Sequence, residues 1–81
     1  MNIRALFFAS YRDFAGSDEL EVRLPDAARV SDLVAELRAR GGSWARIPEA
    51  PVVAVNMEYS SLTAPLTEGD EVAFIPPVSG G

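Results

Sequence analysis

An α+β fold, with one main helix laid across one face of a mixed sheet, is predicted by three observations on this 81-residue chain. Apolar residues recur at helical spacing in one place, at Val30, Leu33, Val34 and Leu37. Short segments of strand character flank that stripe, two before it and three after it. The chain is a single small domain with a modest core, so these elements must share it. One helix on one face of a sheet is then the economical packing.

The elements follow in order. Ile3 to Ala9 is rich in aromatic and branched residues and reads as a strand. Ser10 to Asp18, with Gly16-Ser17, reads as a loop. Glu19 to Leu24 alternates, which turns Leu20, Val22 and Leu24 inward, and Pro25 ends the strand. Ser31 is the expected N-cap of the helix, and Asp32 suits its first turn. Gly41-Gly42 stops the helix after Arg38 and Arg40. Trp44 and Ile47 are expected to cover one end of the core from a short turn.

Val52 to Val55 is an unbroken apolar run, which predicts a strand covered on both faces. Asn56-Met57-Glu58 is a turn and Tyr59 to Leu62 a short strand. Leu66 to Asp70 is a second turn, with Gly69 expected at positive φ. Glu71 to Ile75 is the last strand. The predicted domain covers residues 1–77, and residues 78–81 form a flexible C-terminal tail.

The order ββαβββ suggests the β-grasp, or ubiquitin-like, fold. There the first and last strands lie parallel at the sheet centre. Arg4 and Glu71 should avoid burial, so their faces point outward. Period-two alternation then exposes Leu6, Phe8, Ala73 and Ile75, while Ile3, Ala5, Phe7, Val72 and Phe74 face the helix. A contiguous apolar patch on the outer face marks an interface.

Composition narrows the chemistry. The chain has no Cys, no His and no Lys, and its seven basic residues are all Arg. That excludes a disulfide, a persulfide, a thiolate metal site and a Schiff base, and removes the commonest general base. A stand-alone enzyme is not expected. Residues 1–48 hold seven acids and the seven arginines; residues 49–81 hold Glu49, Glu58, Glu68, Asp70 and Glu71 and no base. The net −5 therefore belongs to the last third, which disfavours nucleic acid and favours a basic protein partner. Glu68, Asp70 and Glu71 are expected to steer the C-terminus toward basic residues of its partners, and Glu68, without an obvious local partner, is the cleanest test of the three. No apolar run is long enough to span a membrane, no signal-peptide layout follows Met1, and the expected location is cytoplasmic.

The chain ends Pro76-Pro77-Val78-Ser79-Gly80-Gly81. Proline has a fixed φ and no N–H, so the pair stops the strand and projects the remainder outward. Four residues can reach roughly 13 Å when extended. Glycine lacks Cβ, so Gly80 and Gly81 can be approached closely. Such an arm suits delivery of the Gly81 carboxylate into another protein's active site.

These residues resemble a known family. Asp70-Glu71-Val72-Ala73-Phe74-Ile75-Pro76-Pro77-Val78-Ser79-Gly80-Gly81, after Leu66 and Gly69, is similar to the C-terminal signature of the molybdopterin synthase small subunit, the MoaD family. Leu6-Phe7-Phe8-Ala9 with Arg12 and Gly16 resembles its first strand and loop, and Ala54-Val55-Asn56 its middle strand. Ile75 stands where an aromatic is common, and Tyr59 where an aliphatic is common.

The resemblance implies a sulfur carrier. An activating enzyme of the MoeB type would use ATP and Mg²⁺ to adenylate Gly81, and a sulfur donor would convert it to a thiocarboxylate. The tail would then enter the large subunit, of the MoaE type, and give sulfur to cyclic pyranopterin monophosphate. Catalytic bases would belong to the large subunit, no cofactor would bind this chain, and the assembly would be a heterotetramer. Phe8, Leu6, Tyr59 and Ile75, with Pro76, Pro77, Val78, Ser79 and Glu68, are the expected partner-binding residues. Alternatives are a sulfur carrier for thiazole synthesis, a ubiquitin-like protein modifier using Gly81, and a simple interaction module.

Overall fold

The computed structural model describes residues 1–77. The elements are β1 (Asn2–Phe7), α1 (Ala9–Ala15), β2 (Glu19–Arg23), α2 (Val30–Arg38), a 3-10 turn (Gly42–Arg46), β3 (Val52–Val55), β4 (Glu58–Ser60) and β5 (Glu71–Ile75). They form one five-stranded sheet in the order β2-β1-β5-β3-β4. β1 and β5 are parallel, with Arg4 opposite Glu71 and Phe7 opposite Phe74. The remaining pairs are antiparallel. This is the β-grasp arrangement expected from the element order.

The predicted strand parity holds. Ile3, Ala5, Phe7, Val72 and Phe74 are at most 1% exposed and pack with Val30, Leu33, Val34 and Leu37 of α2. Phe7 and Phe74 stack at 5.4 Å, and Trp44 meets Phe7 edge-on at 5.6 Å. Ile47 is fully buried, so the 3-10 turn closes one end of the core as expected.

Five local expectations are corrected. Residues 9–15 form a helix rather than a loop. Tyr11, Phe14 and Ala15 are spaced i, i+3, i+4 and turn toward the core, and Gly16 ends the helix at φ 76°, its N–H donating to Arg12 O at 2.8 Å. Strand β1 accordingly stops at Phe7, not Ala9.

The N-cap of α2 is Arg29, not Ser31. Ser31 is already helical because its N–H donates to Leu62 O at 2.9 Å, while Val30 N–H donates to Ala64 O at 3.0 Å. Carbonyls of the β4–β5 connection thus satisfy donors that a side-chain cap would otherwise take. Asp32 does serve the first turn, accepting from Arg29 N–H at 2.7 Å.

β3 is not covered on both faces: Val53 is buried, but Val52 is 54% exposed. β4 begins at Glu58, one residue before the expected strand, because Asn56 (φ 50°) and Met57 (φ 72°) alone make the hairpin turn between Val55 and Glu58. Gly69 has the expected positive φ, at 82°.

Candidate functional site

Alternation puts one side chain from each of four strands in register across the outer sheet face. Leu6 stands beside Ala73, Ala73 beside Ala54, and Ala54 beside Tyr59, so one apolar row crosses β1, β5, β3 and β4. One step toward the C-terminal end of β5, Ile75 is opposite Val52. Phe8 follows Phe7, the partner of Phe74, and closes that second row. Phe8 is 49% exposed and Tyr59 78%. Large apolar side chains contiguous on one face are the kind of surface that marks an interface.

The other end of the same face is charged. The Arg4 guanidinium contacts the Glu71 carboxylate across the central pair and lies 3.5 Å from Glu19 Oε2. The face therefore grades from ion pairs at the start of β5 to bare hydrocarbon at its finish. Ile75, Val52, Pro51, Tyr11 and Pro77 line a shallow depression there, and Leu6, Phe8, Ala9, Arg12 and Asp18 line a second beside it. Burial pushes the Tyr11 phenol up, so it remains neutral well past physiological pH.

The sequence-predicted partner residues Leu6, Phe8, Tyr59, Ile75, Pro76 and Pro77 share this face or its C-terminal edge. Val78, Ser79, Gly80 and Gly81 lie outside the described residues. Val52 and Ala54 were missed. Reading their run as doubly covered hid them, although strict alternation from a buried Val53 places both outside.

Glu68 is the exception. Its Oε1 accepts from Asn2 N–H at 3.0 Å, so the expectation that it lacks a local partner is corrected. It precedes β5, whereas Pro77 follows it, so the five residues of the strand, about 17 Å, separate it from the end of the described chain. The neighbouring acids are engaged as well. Asp70 accepts from Asn56 Nδ2 at 2.9 Å and from Thr67 N–H at 2.8 Å. Desolvation pushes the Asp70 carboxyl up, but these bonds and one from Thr67 Oγ1 outweigh it and hold it below the usual carboxylate value. Glu49 is 3.3 Å from Arg38 Nη1. Four of the five acids that look uncompensated along the sequence, Glu49, Glu68, Asp70 and Glu71, thus find partners in space.

Among the described residues no group of His, Cys, Asp or Glu could hold a metal ion, and no helix is long and apolar enough to cross a membrane.

A sheet centred on parallel terminal strands, one main helix beneath it and a bare apolar outer face define a ubiquitin-like β-grasp protein. The ThiS family profile matches residues 5–81, and the chain belongs to that family. It is 43% identical to the molybdopterin synthase sulfur carrier subunit of Escherichia coli (strain K12), over 98% of this chain and 99% of that one. The subunit of the same name from Chlamydomonas reinhardtii is 40% identical over the full length of both. Among solved structures, the putative molybdopterin converting factor subunit 1 of Pyrococcus furiosus has a TM-score of 0.84 and 36% identity, covering 96% of this chain and 99% of that one. SAMP1 of Haloferax volcanii has a TM-score of 0.86 and 28% identity over the full length of both.

Proposed function

We infer that this chain is the sulfur carrier subunit of a molybdopterin synthase. The observation that supports this most is full-length identity of 40–43% to two proteins of that name. In this reading the Gly81 carboxylate attacks the α-phosphate of ATP in an activating enzyme, with Mg²⁺ on the phosphates, and pyrophosphate leaves. A hydrosulfide equivalent from the sulfur donor then bonds the carbonyl carbon. The carbon–oxygen bond to AMP breaks, and a thiocarboxylate remains. An ionised α-carboxylate is a poor electrophile, which is why activation must come first.

The partners follow from the outer face. Phe8, Val52, Tyr59 and Ile75 form the anchor for the large subunit, and Pro76-Pro77 aim Val78, Ser79, Gly80 and Gly81 into its pocket. There the sulfur passes to cyclic pyranopterin monophosphate. No cofactor is held by this chain; ATP and Mg²⁺ belong to the activating enzyme.

Intact mass after incubation with activating enzyme, Mg-ATP and a sulfide source tests the reading. Exchange of one oxygen for one sulfur at the C-terminus is the expected result; an unchanged mass overturns it. The likeness to SAMP1, a small archaeal modifier by name in a related structure, favours protein modification as a second reading. Amide-linked Gly81 on lysines of cellular proteins would select it.

A further inference from the structure

The sheet has two open edges, and they differ. β4 is three residues long and offers little ladder to another strand. β2 is five residues long, Glu19–Arg23, and pairs with β1 alone.

The hydrogen bonds show which backbone groups of β2 are spare. Phe7 N–H donates to Asp18 O at 2.8 Å. In an antiparallel ladder the residues bonded to one neighbour alternate, so Leu20 and Val22 also turn their backbone groups toward β1. Glu19, Glu21 and Arg23 turn theirs away. Ser17 Oγ already donates to Glu19 O at 2.6 Å. Pro25, next in that series, has no N–H, and its carbonyl accepts from Ala28 N–H at 3.2 Å. The bare stretch is therefore Glu21 and Arg23, closed off on either side.

The side chains of these two residues are exposed, alternating with buried Val22. Arg4, the neighbour of Glu21 on β1, is engaged by Glu71 and Glu19 instead. Among the described residues neither Glu21 nor Arg23 has a charged partner.

This edge selects its own mate. Two copies paired about a two-fold axis run antiparallel and centre on a single residue. Centred on Leu20, the ladder sets Glu19 against Glu21 of the second copy. Centred on Glu21 it sets Glu21 against itself and needs the Glu19 carbonyl that Ser17 holds. Centred on Arg23 it sets Arg23 against itself. Like charges directly opposite are destabilising. Centred on Val22, Glu21 meets Arg23 of the second copy at two equivalent places, and Leu20 meets Leu24. Glu19 then faces Pro25, where the two carbonyls are already satisfied.

We propose that β2 is a self-association edge, on which two copies of this chain pair antiparallel about Val22 through Glu21 and Arg23. Each Glu21–Arg23 contact exchanges both backbone N–H···O bonds and adds an ion pair on the outer face. The two-fold axis stands perpendicular to the sheet, so the outer faces of both copies lie on one side. Tyr59 and Ile75, on strands remote from β2, stay bare in the pair. The proposal is thus independent of the sulfur-carrier reading. An edge this small belongs with weak, transient associations, so it is populated at high concentration.

Amide spectra of the isotope-labelled chain, recorded from about 1 mM down to about 20 µM, test it. The Glu21 and Arg23 amides should shift most, and those of Ala54 and Tyr59 should hold still. Rotational correlation time should fall roughly twofold as pairs give way to single chains. Glu21→Arg opposes Arg to Arg, and Arg23→Glu opposes Glu to Glu, so each variant alone should associate at least about tenfold more weakly. An equimolar mixture of the two restores opposite charge at both contacts and should associate like the native chain. So should the double variant Glu21→Arg/Arg23→Glu, a rescue that only the register centred on Val22 allows. Both residues are exposed, so urea midpoints should barely move. Native spectra that ignore concentration, single variants that still associate, or a mixture that stays dissociated would each overturn the proposal. Shifts centred on Tyr59 and Ile75 would overturn it too, by moving self-association to the outer face.

Discussion

Val52 stands directly opposite Ile75 in the β3–β5 ladder, on the sheet face turned away from α2. The pair joins the outer surface of the central strand to that of its neighbour at the point where the chain leaves the sheet. An interface that must both grip this domain and receive its tail would be anchored there.

Phe8→Ala, Val52→Asp and Ile75→Asp should each weaken binding of the large subunit at least tenfold, a central anchor being worth about 2 kcal/mol or more. Titration calorimetry with purified large subunit measures this. Urea midpoints should barely move for these variants, whereas Phe7→Ala should cost about 3–5 kcal/mol, because Phe7 is 1% exposed in the core. If Phe8→Ala unfolds the protein and Phe7→Ala does not, the face assignment is wrong.

Deleting Gly81, or adding one residue after it, should abolish molybdopterin formation in a reconstituted assay. The urea midpoint should stay unchanged, because the core is complete by Phe74. Gly80→Ala should be milder, since it removes only close approach and backbone freedom. Normal turnover by the extended chain would exclude Gly81 as the sulfur-bearing residue.

Charge steering from Glu68 is a weaker expectation than the sequence suggested, because its carboxylate is bonded to Asn2 N–H at the other end of β5. Glu68→Gln should leave the association rate with the activating enzyme and its salt dependence nearly unchanged. Asp18→Asn, in the depression beside Phe8 and still largely exposed despite its 3.4 Å contact with Arg12 Nη1, should flatten the salt dependence instead. Stopped-flow association at low and physiological salt separates the two.

Asp70 should carry a piece of acid-side stability. Its folded pKa lies below the ordinary carboxylate value, so its contribution is complete above about pH 4 and fades as pH falls through the lower folded value. The gap in urea midpoint between the native chain and Asp70→Asn should therefore be widest near neutrality and shrink toward pH 2. A gap that widens on acidification would refute the sign.

Met57 is 90% exposed and sits at φ 72° in the two-residue β3–β4 turn. Asn-Gly is the favoured pair for such a turn. Met57→Gly should raise stability by about 0.5–1 kcal/mol, read as a higher thermal midpoint. A lower midpoint would mean that Met57 makes packing contacts that outweigh backbone strain.

Much of this was legible in the sequence. The helical stripe from Val30 to Leu37 and the alternation in β1, β2 and β5 are strong local signals, and pairing of the first and last strands then fixed the inner and outer faces. Helix α1 was not legible as read, since it buries only Tyr11 fully and has no side-chain cap; Gly16 and the Tyr11–Phe14–Ala15 spacing were its signals. The cap of α2 was hidden because its donors are satisfied by Leu62 and Ala64, residues remote in sequence. The outward aspect of Val52 and Ala54 was masked by Val53 and Val55 between them, which makes a half-buried strand look doubly covered. The pairing of Glu71 with Arg4 follows from setting the first and last strands side by side, but that of Glu49 with Arg38 could not be seen by summing charge along the chain.

β5 is the last strand to be synthesised, yet it occupies the middle of the sheet between β1 and β3. Until it arrives, β1 and β3 have nothing between them, and Phe7 lacks the ring of Phe74. The earlier four strands cannot close a core on their own, because their pairing is bridged by the one still missing. Translation thus couples folding to completion. A chain cut short before Ile75 would remain open to proteases, and a chain that folds has already made its central strand. Copies truncated within β5 are thereby kept from folding and from docking on a partner.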